Sequence, residues 1–297
     1  MSVKFRIDFK RLRNPRADTI PSNEDKFFLK GSNGSTVILV HGVTGTPNEM
    51  KVLASQLNKD GYSVICPTLA NHGQPLEVLK HTGWQEFYQS VRKAFLEIKD
   101  ENNLIFASGL SIGALLALLL AEEFQDKVAG VSCLSPTLFY DGWNMPWYRC
   151  FLPLVYATSL RDAFYFKEEP PYGIKNEDMR QRVHKYYSSA NLDDIEGMAQ
   201  YGYPYFPVTL LYQLHLLVKY ARSRLKNISA PLQLIQAKED DMTSIKNSQF
   251  IYDRVSSKVK EMVLLDNSYH VITVDYERDK VVQKMLEFFG GIRRGLK

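Results

Sequence analysis

Asn103-Leu-Ile-Phe-Ala-Ser-Gly-Leu-Ser-Ile-Gly-Ala114 decides how the rest of this 297-residue chain is read. Leu104 to Leu110 is an apolar run of strand length. Ile112 to Glu123 is a helical pattern rich in Ala and Leu, free of Pro, with its one Gly in the first turn. Between them, Gly109-Leu110-Ser111-Ile112-Gly113 fits the G-x-S-x-G nucleophile elbow. A serine forced onto a sharp strand-to-helix turn leaves no room for side chains two residues away on either side, and glycines answer that constraint. The same turn sets Ser111 beside the first free amides of a helix, where negative charge is favoured. A turn whose serine merely caps a helix would show the same five residues. An acid, a base and an oxyanion loop in the right chain order separate the two readings.

Upstream, strands are expected at Phe27–Lys30 and Thr36–Val40, joined by the turn-forming Gly31-Ser-Asn-Gly34. The second runs into His41-Gly-Val-Thr-Gly-Thr-Pro47, where Thr46, Pro47 and Glu49 read as a capping box with Pro at the first helical position. A glycine-bearing strand-to-helix loop supplies the second oxyanion amide beside an elbow, so the amides of Val43 and Ile112 are the expected donors. His41 is expected to fix loop backbone, and His72 to scaffold the Thr68–Gly73 loop. Ser63–Pro67 and Val128–Leu134 read as further strands. Thr82-Gly-Trp-Gln85 reads as a second capping box, opening a helix whose Trp84, Phe87, Val91, Phe95 and Ile98 form a sheet-facing stripe. Strands alternating with helices predict a parallel sheet covered on both faces.

The alternation stops near Thr137. The stretch to Lys226 holds 19 of the 36 aromatic residues and is cut into short segments by prolines, with helical patterns near Glu177–Tyr187 and Val208–Leu225. A mainly helical cap inserted over the carboxyl ends of the sheet, where ligands of open α/β sheets bind, is the expectation. Most of its aromatics should form its own small core; the rest favour an apolar substrate.

The pattern resumes at Pro231. Leu232–Ala237 and Lys260–Leu265 read as strands, with helices over about Ser244–Arg254 and Asp279–Phe289. After the first strand comes Lys238-Glu-Asp-Asp-Met-Thr243, where Asp240 is the preferred acid and Asp241 and Glu239 are its neighbours in contention. After the second comes Asp266-Asn-Ser-Tyr-His270, which places His270 in the next loop. Ser111, Asp240 and His270 thus occur in the order expected behind such an elbow.

Composition sets the remaining bounds. A hydrophobic content of 45%, a charged content of 24% and a net charge of +4 describe an ordinary soluble globular chain and call for no nucleic acid. The basic cluster Lys4, Arg6, Lys10, Arg11, Arg13 and Arg16 reads first as a solvated arm and second as a weak membrane-surface contact. Cys66, Cys133 and Cys150 are expected to be reduced, buried thiols. No apolar h-region with a cleavage site opens the chain, and Ala114–Ala121 is far short of the ~20 residues needed to span a bilayer, so a cytoplasmic location is expected. No H-E-x-x-H occurs and the six histidines are scattered, so no metal or other cofactor is expected.

On His41-Gly-Val-Thr-Gly45, Asn71-His-Gly73, His81-Thr-Gly83, Gly109-Leu-Ser-Ile-Gly113 and Tyr269-His-Val-Ile-Thr273, the chain resembles the α/β-hydrolases, among them small bacterial carboxylesterases and monoacylglycerol lipases. The resemblance covers about residues 27–136 and 230–290. It implies an α/β-hydrolase fold: a mostly parallel central sheet flanked by helices, with 1–136 and 229–297 as core and 137–228 as cap. It also implies a triad of Ser111, Asp240 and His270, with oxyanion amides from Val43 and Ile112. The expected function is a serine hydrolase cleaving esters of apolar acyl chains, acting on a small ester or acylglycerol through an acyl-enzyme. An acyl thioesterase with the same triad, or a non-catalytic binder that kept the shell, is the alternative. Two features depart from the pattern: a second aspartate after Asp240, and a longer, more aromatic cap.

Overall fold

A computed structural model describes residues 26–99, 104–189 and 195–295; the basic arm from Lys4 to Arg16 lies outside these. In chain order the first half gives β1 (Phe27–Leu29), β2 (Ser35–Val40), α1 (Lys51–Lys59), β3 (Ser63–Cys66), α2 (Leu76–Leu79), α3 (Trp84–Ile98), β4 (Leu104–Leu110), α4 (Ile112–Phe124) and β5 (Gly130–Leu134). Then come α5 (Leu152–Tyr156), β6 (Tyr165–Lys167), α6 (Glu177–Ser189), α7 (Ile195–Tyr201), β7 (Tyr205–Pro207) and α8 (Val208–Arg224). β8 (Leu232–Ala237), α9 (Lys246–Tyr252), β9 (Lys260–Leu265) and α10 (Arg278–Gly295) close the chain.

Seven strands form one sheet in the order β1-β3-β2-β4-β5-β8-β9, parallel except for β1. Side chains alternate between its faces, as the two-residue period of a strand requires. Val37 and Leu39 of β2, with Phe106 and Leu110 of β4, join a cluster with α1 and α10. Ile38 and Val40, with Ile105 and Ala107, join the other cluster with α3, α4 and α8. Helix α4 is buried from Ile112 to Ala121, lying between the sheet and helices α3 and α8. That enclosure is why its sequence is apolar all round rather than striped. The α3 stripe packs as expected, with Trp84, Phe87, Val91, Phe95 and Ile98 all buried.

β2 leads to β3 on one side, and the chain later crosses to β4 on its other side. The carboxyl ends of β2 and β4 therefore flank a switch point, the crevice where an open α/β sheet binds ligands. The His41–Pro47 loop and Ser111 both stand there.

Several local expectations shift. The turn at Pro47–Met50 is a short 3-10 segment before α1. Glu49 leaves the expected capping box: Thr46 caps through Asn48 N–H, while the Glu49 carboxyl reaches Gly42 N–H instead. The second box does not form: the helix starts one residue late, with Gly83 as its N-cap, and Glu86 accepts the Gly83 N–H while glycine has no side chain to reciprocate. Between β5 and β8 the chain is mainly helical but also makes an antiparallel pair, β6 with β7, that periodicity could not show in three-residue strands. Met198, Tyr203, Phe206, Leu210, Leu214 and Leu217 of this segment merge with the α4-side core, whereas Trp143, Trp147 and Phe151 are exposed. Cys66 and Cys133 are buried and free; Cys150 is free but exposed, because its 3-10 turn lies on the outer surface. Among the described residues no helix is long and apolar enough to cross a membrane.

The two elbow glycines are required sterically. A Cβ on Gly109 would overlap the backbone of Gly113, and one on Gly113 would overlap Val40 O and lie 2.7 Å from His41 O. Gly113→Ala is therefore expected to destabilise the fold at the upper end of the ~1–3 kcal/mol that overpacking costs. Urea unfolding followed by circular dichroism measures this, and an unchanged midpoint would contradict the steric account.

Candidate active site

Ser111 stands between β4 and α4 with φ 58° and ψ −116°, a left-handed conformation that a non-glycine residue adopts at a cost of ~1–3 kcal/mol. Its backbone N–H donates to Leu134 O at 2.8 Å, which ties the elbow to the end of β5. The side chain is 8% exposed, and its Oγ lies 2.9 Å from Oγ1 of the fully buried Thr137. Ile112, next in sequence, supplies the first amide of α4, one of the helix N–H groups that lack an intrahelical acceptor.

Asp240 lies three residues past the end of β8. Its Oδ1 accepts from Met242 N–H at 2.9 Å and Thr243 N–H at 2.8 Å, and its Oδ2 from Gln236 Nε2 at 2.8 Å and Thr243 Oγ1 at 2.9 Å. So fixed, the carboxylate meets His270 Nδ1 at 2.9 Å. Carboxylate oxygens only accept, so the neutral ring carries its proton on Nδ1 and keeps a lone pair on Nε2. Burial alone would depress the imidazole; the Asp240 carboxylate, aided by Asp241 and Glu49, reverses that and lifts His270 above its ordinary value.

Asp241 does something else. Its Oδ1 accepts His270 N–H at 3.3 Å and its Oδ2 accepts Gly173 N–H at 3.2 Å. Gly173 O in turn accepts Val271 N–H at 2.7 Å. Asp275 accepts the amides of Tyr269 and Lys175 at 2.8 Å and of Asn176 at 2.7 Å. The two aspartates thus clasp residues 173–176 to the histidine loop. Burial raises Asp241 to about 6 against the pull of His270, with Asp240 adding to the rise. Glu239, the third acid, points to Lys175 Nζ at 2.5 Å.

The His41–Gly45 loop is held peptide by peptide. His41 Nδ1–H donates to Gly42 O at 2.8 Å while its Nε2 accepts Leu69 N–H at 3.1 Å, which fixes the tautomer. His72 Nε2–H donates to Val43 O at 2.6 Å, and Thr44 O accepts Tyr203 N–H at 2.8 Å. Burial pushes both imidazoles below their ordinary values, so both stay neutral. His41 and His72 are loop scaffolds, as their sequence positions suggested.

Of the three residues expected to act together, the structure joins Asp240 and His270 and leaves the Ser111 hydroxyl on Thr137. Thr137 was missed, as were Glu49 and Glu168, whose carboxyls interact with His270. Burial raises Glu168 to about 7, with Asp241 adding and His270 opposing. Thr137 lies just past the end of β5, in the layer of the other strand ends, and that position was its one signal.

A strained serine elbow at the switch point of a parallel sheet, with a histidine–carboxylate pair at neighbouring strand ends, defines a serine hydrolase of α/β-hydrolase fold. The family model described as "Serine aminopeptidase, S33" matches residues 31–277, and the chain belongs to that family. It is 29% identical over 255 residues to the thermostable monoacylglycerol lipase of Bacillus sp. (strain H-257), covering 85% of this chain and 89% of that one. It is 28% identical over 268 residues to the carboxylesterase of Bacillus subtilis (strain 168), covering 88% and 94%. The monoacylglycerol lipase of Paleococcus ferrophilus shares the fold, with a TM-score of 0.72 at 19% identity over 90% of this chain and 98% of that one.

The contacts around His270 separate the two aspartates. Asp240→Asn is expected to cut kcat by ~10⁴, through loss of the Nδ1–H tautomer. Asp241→Asn, which touches backbone only, should cost far less. Steady-state kinetics on a p-nitrophenyl ester decides this, and the reverse order would move the acid by one residue.

Proposed function

We propose that the protein is a carboxylic ester hydrolase that works through an acyl-enzyme on Ser111. The observation that carries this reading is the 2.9 Å contact of His270 Nδ1 with Asp240, at the same end of the sheet as the strained serine. Rotation of the Ser111 hydroxyl away from Thr137 puts it to use. His270 Nε2 then takes its proton as Oγ attacks the ester carbonyl, and returns the proton to the departing alcohol. Asp240 keeps the ring in the Nδ1–H tautomer and stabilises the imidazolium. The Val43 and Ile112 amides stabilise the tetrahedral oxyanion, a contribution of ~3 kcal/mol per donor. Water, activated by the same histidine, releases the acid. Because the base must be neutral, kcat/KM should fall as pH falls through the raised His270 value, with the acid limb centred above 6.5.

Residues 137–228 act as the cap over this site, and 1–136 with 229–297 as the core. Ser111 and His270 are only 8% and 4% exposed, so substrate enters by displacing part of that cover. The stretch from Thr137 to Lys226 carries 19 of the 36 aromatic residues, and this density favours an apolar acyl group. Relatives named as a carboxylesterase and as a monoacylglycerol lipase support an ester or acylglycerol as the substrate.

Ser111→Ala should fold normally and lose both esterase activity and labelling by a fluorophosphonate; labelling that persists would place the nucleophile elsewhere. Each buried methylene adds ~0.8 kcal/mol, so kcat/KM should climb from acetyl toward hexanoyl or octanoyl esters and then flatten. If some of that burial is made only in the transition state, kcat climbs too. A kcat/KM highest for acetate and falling with each added carbon would refute the acyl preference.

A further inference from the structure

Glu49 is a partly buried carboxyl that the scheme above does not use. Its Oε1 accepts Gly42 N–H at 2.5 Å, and a Cβ on Gly45 would overlap its carboxyl group, so the two glycines of His41-Gly-Val-Thr-Gly45 fold around it. Val43, the expected oxyanion donor, lies between those glycines. The preceding peptide is pinned at Gly42 N–H by Glu49, its own peptide at Gly42 O by His41, and the following one at Val43 O by His72. Among the described residues no acceptor meets Val43 N–H. A donor held on both sides and left without an acceptor is what an oxyanion hole needs, since preorganised dipoles cost no reorganisation when charge develops.

We propose that Glu49 is a positioning residue for the oxyanion hole: its carboxylate clamps the Gly42 peptide, orients Val43 N–H toward the reacting carbonyl, and adds negative charge facing His270. The inference rests on Ser111 being the nucleophile and Val43 an oxyanion donor. Ionisable groups around Glu49 come from three other elements: His270 after β9, Cys66 at the end of β3, and Tyr187 of α6. Burial keeps the Cys66 thiol and the Tyr187 phenol neutral, far above their ordinary values. Glu49, withdrawn from water, is raised to about 7, with Gly42 N–H and His270 opposing the rise. Over pH 5 to 9 the titrating groups in this neighbourhood are therefore Glu49 and His270, with Asp241 and Glu168 also interacting with the imidazole.

Glu49→Ala removes both the clamp and the charge; Glu49→Gln keeps an acceptor oxygen for Gly42 N–H and removes only the charge. Glu49→Ala should lower kcat about tenfold to hundredfold with KM little changed, less than outright loss of an oxyanion donor. Glu49→Gln should restore kcat at pH 8 to within about threefold of the native enzyme, and should move the acid limb of kcat/KM to lower pH, since one negative charge facing the imidazolium is gone. Stoichiometric titration of Ser111 by a fluorophosphonate accompanies each variant. If native Ser111 does not react, the nucleophile assignment fails. If it reacts and Glu49→Ala keeps native kcat, or Glu49→Gln is as slow as Glu49→Ala with an unmoved limb, the role of Glu49 alone is refuted.

Discussion

The close approach of Gly113 to the carbonyl ends of β2 is the contact on which the site depends. With Gly109 and Gly113 pressed together, β4 turns into α4 within one residue, and that residue is forced to positive φ. The turn delivers three things at once: a buried hydroxyl at the strand ends, the free amides of a buried helix, and a close approach to the loop that follows β2. Helix α4 can be this close to the sheet because it is apolar on every side and enclosed by both layers of packing. Nothing about the site needs flexibility in these elements.

The remaining polar groups of the site hang on loops at the other strand ends. Asp240 is held by four donors before it meets the imidazole, so the ring is oriented by a carboxylate that cannot drift. The histidine loop is joined to the segment between β5 and β8 through Asp241 and Asp275, which accept backbone amides from both sides. Residues 173–176 and the loop of His270 are thus joined by hydrogen bonds, and movement of one bears on the other. Carboxylates crowd this region; each raises its neighbours while His270 lowers the acids, so the pH response belongs to the group rather than to any single member.

Much of this was legible in the sequence because it follows from short-range rules. The elbow glycines, the apolar α4 and the strand–helix alternation each imply geometry without reference to distant residues. The serine, aspartate and histidine could be placed because each follows a recognisable strand. What was hidden depends on side chains choosing between equally local partners. Glu49 carries the signature of a helix cap, yet a loop amide three residues before Gly45 wins its carboxyl. Asp241 cannot be told from Asp240 by spacing; its backbone partners come from residues 68 positions away in one case and 29 in the other. Thr137 sits in a stretch with no periodicity, and the three-residue strands β6 and β7 are too short to leave any. Cys150 lies among aromatics that face outward, where an apolar neighbourhood in sequence does not mean burial.

The central claim is that turnover proceeds through an acyl group on Ser111. Rapid acid quenching of the enzyme mixed with p-nitrophenyl octanoate, followed by peptide mass spectrometry, tests it most directly. A pre-steady-state burst of nitrophenol should coincide with an octanoyl mass increment on the peptide containing Gly109-Leu-Ser-Ile-Gly113, and fragmentation should place it on Ser111. Turnover with no covalent adduct, or an adduct on any other residue, would contradict the account.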